Sequence, residues 1–173
     1  MSSPMFRQAR PRQRRGGLAS LLLVAVLAVG AVWFMKPGGR SLSGQATVVD
    51  GDTLRLGEVT IRLEGLDAPE MRQSCERDGR SYRCGVVARD ALGDKLREGP
   101  LTCRVVGRDR YRRSLARCSI DGDDIGAWLV GAGLAVAYGG YEPEEAMARR
   151  RRLGLWAGTF QSPRAWRQEH TRS

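Results

Sequence analysis

The sequence predicts an α+β domain, a small five-stranded β-barrel with about three helices, preceded by one N-terminal transmembrane helix. An uncharged apolar run near the N-terminus predicts the transmembrane helix. Short alternating apolar segments, followed by helix-like segments, predict the domain. The length of 173 residues suits one domain with an appendage. The hydrophobic content of 42% is enough for a packed core and excludes global disorder.

The N-terminal segment is predicted to be a membrane anchor. Residues 18–35 are 18 residues without a charge, which is just long enough to cross a bilayer core. Five arginines in the leader, residues 1–17, predict that this end stays in the cytoplasm and that the domain lies outside it, in the periplasm if the cell is Gram-negative. The alternative is a cleaved signal peptide and a secreted protein. Residues 36–44 are predicted to be a flexible linker, and residues 162–173 a basic tail.

Most of the net charge of +10 belongs to the N-terminal part of the chain. Residues 1–40 carry seven basic side chains and no acidic ones, whereas residues 41–173 carry 22 basic and 19 acidic side chains. The charge of the whole chain is therefore no evidence by itself that the folded part binds nucleic acid. The single histidine, His170, lies near the C-terminus, which argues against a Cys/His zinc cluster and against a Ser-His-Asp triad.

The alternating segments predict five strands within a domain that spans residues 45–161. The predicted strands are 46–49, 53–56, 59–66, 101–106 and 115–120. Gly65 allows a bulge near the end of the third strand, and Pro69 ends this part of the sheet because proline cannot donate to a central ladder. Five short strands with inserted and appended helices predict a Greek-key barrel of the OB type.

Three helices are predicted around these strands. They cover residues 85–98, about 124–132, and 143–152. The third begins at Pro143, with glutamates in its first turn and arginines in its last, and this order of charges complements the helix dipole.

Four cysteines predict two disulfides in an oxidising compartment. Cys103 and Cys118 lie on matching faces of the two strands of a predicted hairpin, so they are predicted to pair. This leaves Cys75 to pair with Cys84. The alternative, four free buried thiols in a cytosolic protein, is disfavoured by the apolar segment upstream.

Three carboxylates are predicted to meet at one rim of the barrel. Asp52 follows the first strand, and Asp67 and Glu70 follow the third. Three carboxylates without histidine or cysteine are oxygen ligands for a hard cation such as Ca²⁺ or Mg²⁺. Asp-Gly-Asp is also a common turn, so this segment alone would more often be structural.

Two arginines complete the predicted constellation. A bulge at Gly65 would bring Arg62 to the same side as Asp67, and Arg113 lies in the predicted hairpin turn. Guanidinium groups match phosphate oxygens in a bidentate manner. A cation, a carboxylate base and two arginines together suit displacement at phosphorus.

Three blocks of the sequence resemble one known family. They read VVDGDTLRL, IRLEGLDAPE and DRYRRSLA, and their order and internal spacing are similar to those of the staphylococcal nuclease-like (thermonuclease, TNase-like) family. The later segments GAWLVGAGLAVAY and GLWAG also resemble this family's second and third helices. The resemblance covers nearly the whole predicted domain.

The resemblance implies roles for individual residues. Asp52 and Asp67 match the side-chain ligands of a calcium ion, and Ala68 matches the position that offers a backbone carbonyl to it. Glu70 matches the general base that activates water. Arg62 and Arg113 match the two arginines that hold the phosphate and assist the leaving group.

The resemblance also implies a substrate site. Asp109 and Tyr111 match the turn that presents the second arginine, and Tyr138 and Tyr141 match tyrosines that line the nucleotide pocket. The turn differs from the family pattern at one position, where the family usually has glycine and this chain has Arg112. Glycine at such a turn often supplies a positive φ, so Arg112 is expected to strain the turn, to misplace its neighbour, or to add a phosphate contact.

The function that follows is a monomeric, membrane-anchored nuclease. The resemblance implies a Ca²⁺-dependent enzyme, with Mg²⁺ as the alternative cation, that hydrolyses DNA and RNA and leaves a 3′-phosphate. A non-catalytic OB-type module that only binds nucleic acid, anchored to the membrane, is the first alternative. A structural envelope protein is the second.

Overall fold

The computed structural model describes residues 40–170. The predicted leader and anchor, residues 1–17 and 18–35, lie outside the described residues, as do residues 171–173. None of the helices within residues 40–170 is long and apolar enough to span a bilayer.

Eleven strands and four α-helices make up this part of the chain, with one 3-10 helix at Gly154–Ala157. The strands are β1 Ser41–Gly44, β2 Ala46–Asp50, β3 Thr53–Leu56, β4 Val59–Leu63, β5 Leu66–Asp67, β6 Cys75–Arg77, β7 Arg80–Tyr82, β8 Leu101–Arg108, β9 Ser114–Ile120, β10 Asp123–Asp124 and β11 Val136–Ala137. The α-helices are α1 Cys84–Leu96, α2 Ile125–Gly131, α3 Glu142–Arg151 and α4 Pro163–His170.

The main sheet has seven strands and is open, which corrects the predicted five-stranded barrel. Its order is β1-β8-β9-β4-β3-β2, with β10 paired to the remaining side of β9. Neighbours run antiparallel except β4 and β9, which are parallel. Within residues 40–170 no hydrogen-bonded pairing joins β1 to β2, so the sheet does not close on itself. The five predicted strands are all present as β2, β3, β4, β8 and β9, and β4 ends at Leu63 instead of residue 66.

The predicted linker is wrong over its last four residues. Ser41–Gly44 form strand β1, which pairs antiparallel with β8 and places Leu42 opposite Cys103. Leu42 packs against the main core although its neighbours in sequence are polar. The sheet therefore begins before the predicted domain boundary at residue 45, because an edge of β8 is available for pairing.

The predicted basic tail also belongs to the fold. The three predicted helices are confirmed as α1, α2 and α3, and a fourth helix, α4, begins at Pro163. The side chain of Pro163 is fully buried, which attaches the start of α4 to the body of the domain. Side chains from the sheet, including Leu54 and Ile61, form the main core together with Leu92 of α1 and Leu129 of α2.

Both predicted disulfides are present. Cys103 and Cys118 are direct cross-strand partners in β8 and β9, and a disulfide joins them. The second disulfide joins Cys75 of β6 to Cys84 at the start of α1. It lies in a small second core with Leu155. This cross-link ties the segment that follows Glu70 to helix α1.

Candidate active site

The pairing of three neighbouring strands brings Asp52, Arg62 and Arg113 together. Thr53 of β3 lies opposite Arg62 of β4, so Asp52, one residue earlier, comes beside Arg62. Strand β4 runs parallel to β9 with Ile61 opposite Ser114, so Arg113 comes next to the same place. The ion pair between Arg62 and Asp52 follows from this register.

The turn at Gly65 brings Asp67 to the same place. Gly65 has a φ of +86°, a left-handed conformation that favours glycine, and it separates β4 from the short strand β5. Asp67 then pairs with Val136 of β11, and the Arg62 Nη2 atom lies 2.8 Å from its Oδ1 atom. The expectation that Gly65 allows Arg62 and Asp67 to meet is confirmed.

The Asp52 carboxylate is buried and held by its surroundings. Its side chain accepts hydrogen bonds from the Thr53 hydroxyl at 3.2 Å and from the Ala68 amide at 2.9 Å. Gly51 permits this approach, because a Cβ atom there would lie 2.8 Å from the Ala68 Cβ atom. Ala68 thus contacts Asp52 through its backbone N–H group, whereas the resemblance assigned a role to its carbonyl.

Glu70 lies in a loop that is fixed through Gln73. The Glu70 amide donates to Gln73 Oε1 at 3.1 Å, and the Gln73 amide donates to the Glu70 carbonyl at 2.8 Å. Gln73 is fully buried, and its Nε2 atom donates to the Gln161 carbonyl at 2.7 Å. The start of helix α1 packs against the other side of the loop, where a Cβ atom on Gly85 would overlap the Glu70 carbonyl oxygen. The Glu70 loop therefore has a fixed backbone.

Asp109 organises the turn that carries Arg113. Its Oδ1 atom accepts from the amides of Tyr111 and Arg113, each at 2.9 Å. Arg112 has a φ of +66°, so it adopts the left-handed conformation that was expected of the usual glycine. Arg113 nevertheless reaches the site, where its Nη1 atom lies 3.4 Å from the Thr53 hydroxyl.

Arg167 of helix α4 is the main feature that sequence reasoning missed. Its Nη1 and Nη2 atoms donate to Oδ1 and Oδ2 of Asp67 at 3.0 and 2.9 Å, and Nη1 also donates to Glu70 Oε1 at 2.9 Å. The hydrogen bonds to Asp67, followed by those to Glu70, raise the pKa of Arg167 above its already high range, so the guanidinium stays charged. We call these three hydrogen bonds the Arg167 contact.

These side chains surround one cleft of about 800 Å³. The predicted site residues that line it are Asp52, Arg62, Ala68, Glu70, Asp109, Tyr111, Arg113 and Tyr138. Asp67 lies beneath them, with 2% of its surface exposed. Arg110 and Arg167 also line the cleft, and neither was predicted to do so. Arg110 lies in the block DRYRRSLA but was given no role there, and no pattern in the sequence marks Arg167.

Tyr141 does not line the cleft with Tyr138. Its hydroxyl donates to the Asp124 carboxylate at 3.0 Å, and its ring packs where Gly65 and Gly126 leave space. Burial, followed by the negative charge of Asp124, raises the pKa of Tyr141. The tyrosine therefore joins α2 to the start of α3 and has a structural place, whereas Tyr138 is 60% exposed at the cleft.

The donor chemistry of the site fits a hard divalent cation. Asp52 and Asp67 are buried carboxylates, which are the ligands that such cations prefer. Within residues 40–170, no three His, Cys, Asp or Glu side chains converge as a metal cluster. Arg62 instead bridges Asp52 and Asp67, and Arg167 bridges Asp67 and Glu70. Guanidinium groups thus supply positive charge where a cation would.

An α+β domain whose cleft combines buried carboxylates, one more exposed glutamate and several guanidinium groups defines an enzyme of the nuclease class. A family model described as staphylococcal nuclease homologue matches residues 60–158. The chain belongs to this family.

Individual relatives cover most of the chain. The succinoglycan biosynthesis protein ExoI of Rhizobium meliloti (strain 1021) is 34% identical over 158 residues, which cover 87% of this chain and 83% of its own length. Protein ParB of Escherichia coli is 30% identical over 170 residues, which cover 90% of this chain and 95% of its own length. An uncharacterized endonuclease of Haemophilus influenzae (strain ATCC 51907 / DSM 11121 / KW20 / Rd) is 26% identical over 161 residues, which cover 86% of this chain and 85% of its own length.

Proposed function

We propose that the chain is a metal-dependent nuclease that hydrolyses phosphodiester bonds of DNA and RNA. The observation that carries the proposal is the convergence of Arg62, Glu70 and Arg113 on one cleft above the buried Asp52 and Asp67. Membership in a nuclease family and the relatives named endonuclease support the same reaction class. Contacts with the phosphate backbone and stacking on bases carry little sequence information, so little sequence preference is expected.

In this mechanism Glu70 accepts a proton from the water that attacks phosphorus. Arg62 and Arg113 bind the non-bridging oxygens of the phosphate and stabilise the charge that grows on them in the transition state. The bond from phosphorus to the 5′ oxygen breaks, which leaves a 3′-phosphate and a 5′-hydroxyl, and Arg113 stabilises the departing oxygen. Tyr111 and Tyr138 present exposed rings at the cleft on which a base of the substrate stacks.

The proposed cation is Ca²⁺, with Mg²⁺ as the alternative. Asp52 and Asp67 would hold it through carboxylate oxygens, and the Ala68 carbonyl is the third proposed donor. A bound divalent cation supplies positive charge next to the scissile phosphate. The chain's own contribution is to hold both carboxylates in place in a buried position, through Arg62 and, for Asp52, through the Ala68 amide.

The test is cleavage of plasmid DNA and of RNA by the full-length chain, with chelator, with Ca²⁺ and with Mg²⁺. We expect cleavage with a divalent cation and none with chelator. Glu70→Gln should lower the rate by about 10²–10⁴-fold, which is the usual contribution of a general base. Glu58→Gln, at an exposed turn between β3 and β4, is the matched control and should leave the rate unchanged. Binding without cleavage would favour the non-catalytic module, and undiminished cleavage by Glu70→Gln would remove Glu70 from the mechanism.

We also propose that the enzyme acts outside the cytoplasm as a membrane-anchored monomer. Two disulfides support an oxidising location, because such bonds are rare in the reducing cytoplasm. The uncharged run at residues 18–35 supports an anchor. Fractionation of cells that express the full chain separates this proposal from secretion after cleavage of a signal peptide, because a secreted enzyme would lie outside the membrane fraction and would lack both residues 1–17 and the apolar run that follows.

A further inference from the structure

We propose that Arg167 competes with the divalent cation for Asp67, and that the Arg167 contact holds the site closed until a cation displaces it. This inference rests on the proposed function, because it concerns the same cation site. It assigns to the C-terminal helix α4 a regulatory part in a site whose other members come from strands and loops.

The Arg167 contact uses the same carboxylate oxygens of Asp67 that a cation would need. The guanidinium takes both carboxylate oxygens of Asp67 in a parallel, two-point arrangement, with distances of 3.0 and 2.9 Å. Arg62 donates to the Oδ1 atom as well, at 2.8 Å. Guanidinium groups thus donate twice to Oδ1 and once to Oδ2, so a cation on Asp67 would have to lie beside Arg167 and would be repelled by it.

The same contact also engages the proposed base. Glu70 Oε1 accepts from Arg167 at 2.9 Å, so the positive charge neutralises the carboxylate that should accept a proton. A carboxylate oxygen that accepts from a guanidinium has one lone pair fewer for the water that it should contact. The arrangement with Arg167 on both carboxylates is therefore a resting state, and catalysis requires Arg167 to move.

Charge balance explains why the resting state forms. Asp52 and Asp67 are both buried, and Arg62 is shared between them. Two buried carboxylates with one guanidinium leave a negative charge without compensation, which is costly in a protein interior. Arg167 supplies the second positive charge, so it stabilises the protein in the absence of a cation and becomes superfluous when a cation arrives.

The support for Arg167 is fixed, whereas its side chain is partly exposed to solvent. The start of α4 is attached through the buried Pro163 and through the hydrogen bond from Gln73 to the Gln161 carbonyl. The Arg167 side chain itself is 40% exposed, against 3% for Asp67. Rotation of this side chain toward solvent releases both carboxylates while the helix stays in place. Replacement of Arg167 by a cation at Asp67 then needs no unfolding of α4.

Competition makes a reciprocal prediction. If Arg167 and the cation exclude each other, removal of Arg167 must tighten cation binding by the factor by which the cation weakens the Arg167 contact. The test uses the full-length chain in mild detergent, as wild type, Arg167→Ala and Arg167→Lys. Arg164→Ala, which removes the same charge from an exposed position of the same helix, is the matched control.

Calorimetric titration with Ca²⁺ gives the first readout, and thermal unfolding with chelator and with excess Ca²⁺ gives the second. We expect Arg167→Ala to bind Ca²⁺ about tenfold more tightly than wild type, which corresponds to about 1.4 kcal/mol. Its Tm should fall in chelator and approach the wild-type value in excess Ca²⁺. Arg167→Lys keeps the charge and loses the two-point geometry, so its Ca²⁺ affinity and its Tm in chelator should lie between those of wild type and Arg167→Ala. Arg164→Ala should match wild type in both measurements.

Equal Ca²⁺ affinity in wild type and Arg167→Ala would overturn the inference and leave the proposed function intact. A lower rate of Arg167→Ala at saturating Ca²⁺ with unchanged affinity would overturn it in favour of direct contact between Arg167 and substrate. If no variant binds Ca²⁺ and plasmid cleavage continues in chelator, the proposed metal dependence fails as well. The affinity and the rate thus separate failure of this inference from failure of the proposed function.

Discussion

The Asp109 carboxylate binds both the side chain and the backbone of Arg113. Its Oδ2 atom accepts from Arg113 Nε at 2.7 Å, and its Oδ1 atom accepts from the Arg113 amide at 2.9 Å. Burial alone would raise the pKa of Asp109, but the hydrogen bonds from Arg113 outweigh burial and lower it, so the carboxylate stays charged. One acidic side chain therefore sets both the turn and the direction of the arginine in the cleft.

Replacement of Asp109 should separate these two effects. Asp109→Ala removes both, and we expect kcat to fall by about 10²-fold, since displacement of a catalytic group by about 1 Å has that cost. Asp109→Asn keeps an oxygen for the backbone amides and loses the ion pair, so its kcat should fall less. The free energy of unfolding should change by less than about 1 kcal/mol in Asp109→Asn, because a partly exposed ion pair contributes little. Equal kcat values for the two variants would show that the turn does not depend on the carboxylate oxygens.

Because Arg112 has a left-handed conformation, we expect that glycine at this position stabilises the protein without raising the rate of cleavage. A non-glycine residue in this conformation costs roughly 1–2 kcal/mol, and glycine avoids that cost while adding freedom to the unfolded chain. We expect Arg112→Gly to raise the free energy of urea unfolding by up to about 1 kcal/mol. Its kcat/KM should stay near wild type, because Asp109 holds Arg113. Arg110→Gly, two residues earlier, should bring no such stabilisation, and a large rate gain in Arg112→Gly would mean that Arg113 is misplaced after all.

Gly85 should be intolerant of any side chain. A Cβ atom there would overlap the Glu70 carbonyl oxygen, so the loop that carries the proposed base must shift. We expect Gly85→Ala to lose most of its kcat and to be destabilised by about 1–3 kcal/mol, as is usual for overpacking. Activity assays and urea unfolding measure the two effects.

Gly93, on the same helix, is the matched control for Gly85. Its Cβ atom would lie 3.8 Å from the nearest atom, Val48 Cγ2, which is an ordinary contact. Gly93→Ala should keep full activity and gain up to about 1 kcal/mol, because alanine favours a helix interior. Wild-type activity in both variants would show that the Glu70 loop does not depend on contact with Gly85.

Tyr141 predicts a loss of stability at alkaline pH. Burial, followed by the charge of Asp124, raises the pKa of Tyr141 above its ordinary value of 10.0. Because the pKa in the folded state is the higher one, this contribution is fully present below pH 10 and is lost as the pH rises from 10 toward the folded-state pKa. Tyr141→Phe should lose about 1 kcal/mol at pH 7 with its hydrogen bond to Asp124, and should then depend less on pH above 10.

Urea unfolding at neutral pH and above pH 10 measures both effects. Tyr111→Phe, at an exposed position of the cleft, should show the wild-type dependence on alkaline pH. If Tyr141→Phe follows the wild-type pH dependence as well, the phenol of Tyr141 titrates at its ordinary value and the argument from burial is wrong.

The elements predicted from the sequence are those that a local pattern encodes. The five predicted strands alternate over four or more residues, and the three predicted helices have clear ends, so all eight are present. The short strands β5, β10 and β11 have two residues each, which is too few for alternation to be visible. Strand β1 has only one apolar side chain, Leu42, in its four positions, and the available edge of β8 determines its conformation.

The residues of the active site also divide into those that the sequence predicts and those that only the fold reveals. Asp52, Arg62, Glu70 and Arg113 lie in blocks whose order and spacing the sequence displays, and the register of β3, β4 and β9 then brings them together. Arg167 reaches Asp67 across 100 residues, and nothing in its neighbourhood distinguishes it from Arg164 three positions earlier. The sequence alone does not distinguish Tyr138 from Tyr141 either. In the fold, Tyr138 lines the cleft, whereas the Tyr141 hydroxyl donates to Asp124.

The buried Gln73 has a consequence for the integrity of the C-terminus. Because its amide group is shared between the Glu70 backbone and the Gln161 carbonyl, a protease that cut the chain before residue 161 would leave a donor in the interior without an acceptor. The same cut would remove Arg167, one of the two guanidinium partners of Asp67. Loss of the last 13 residues would thus alter the chemistry of a cleft whose other lining residues are all intact.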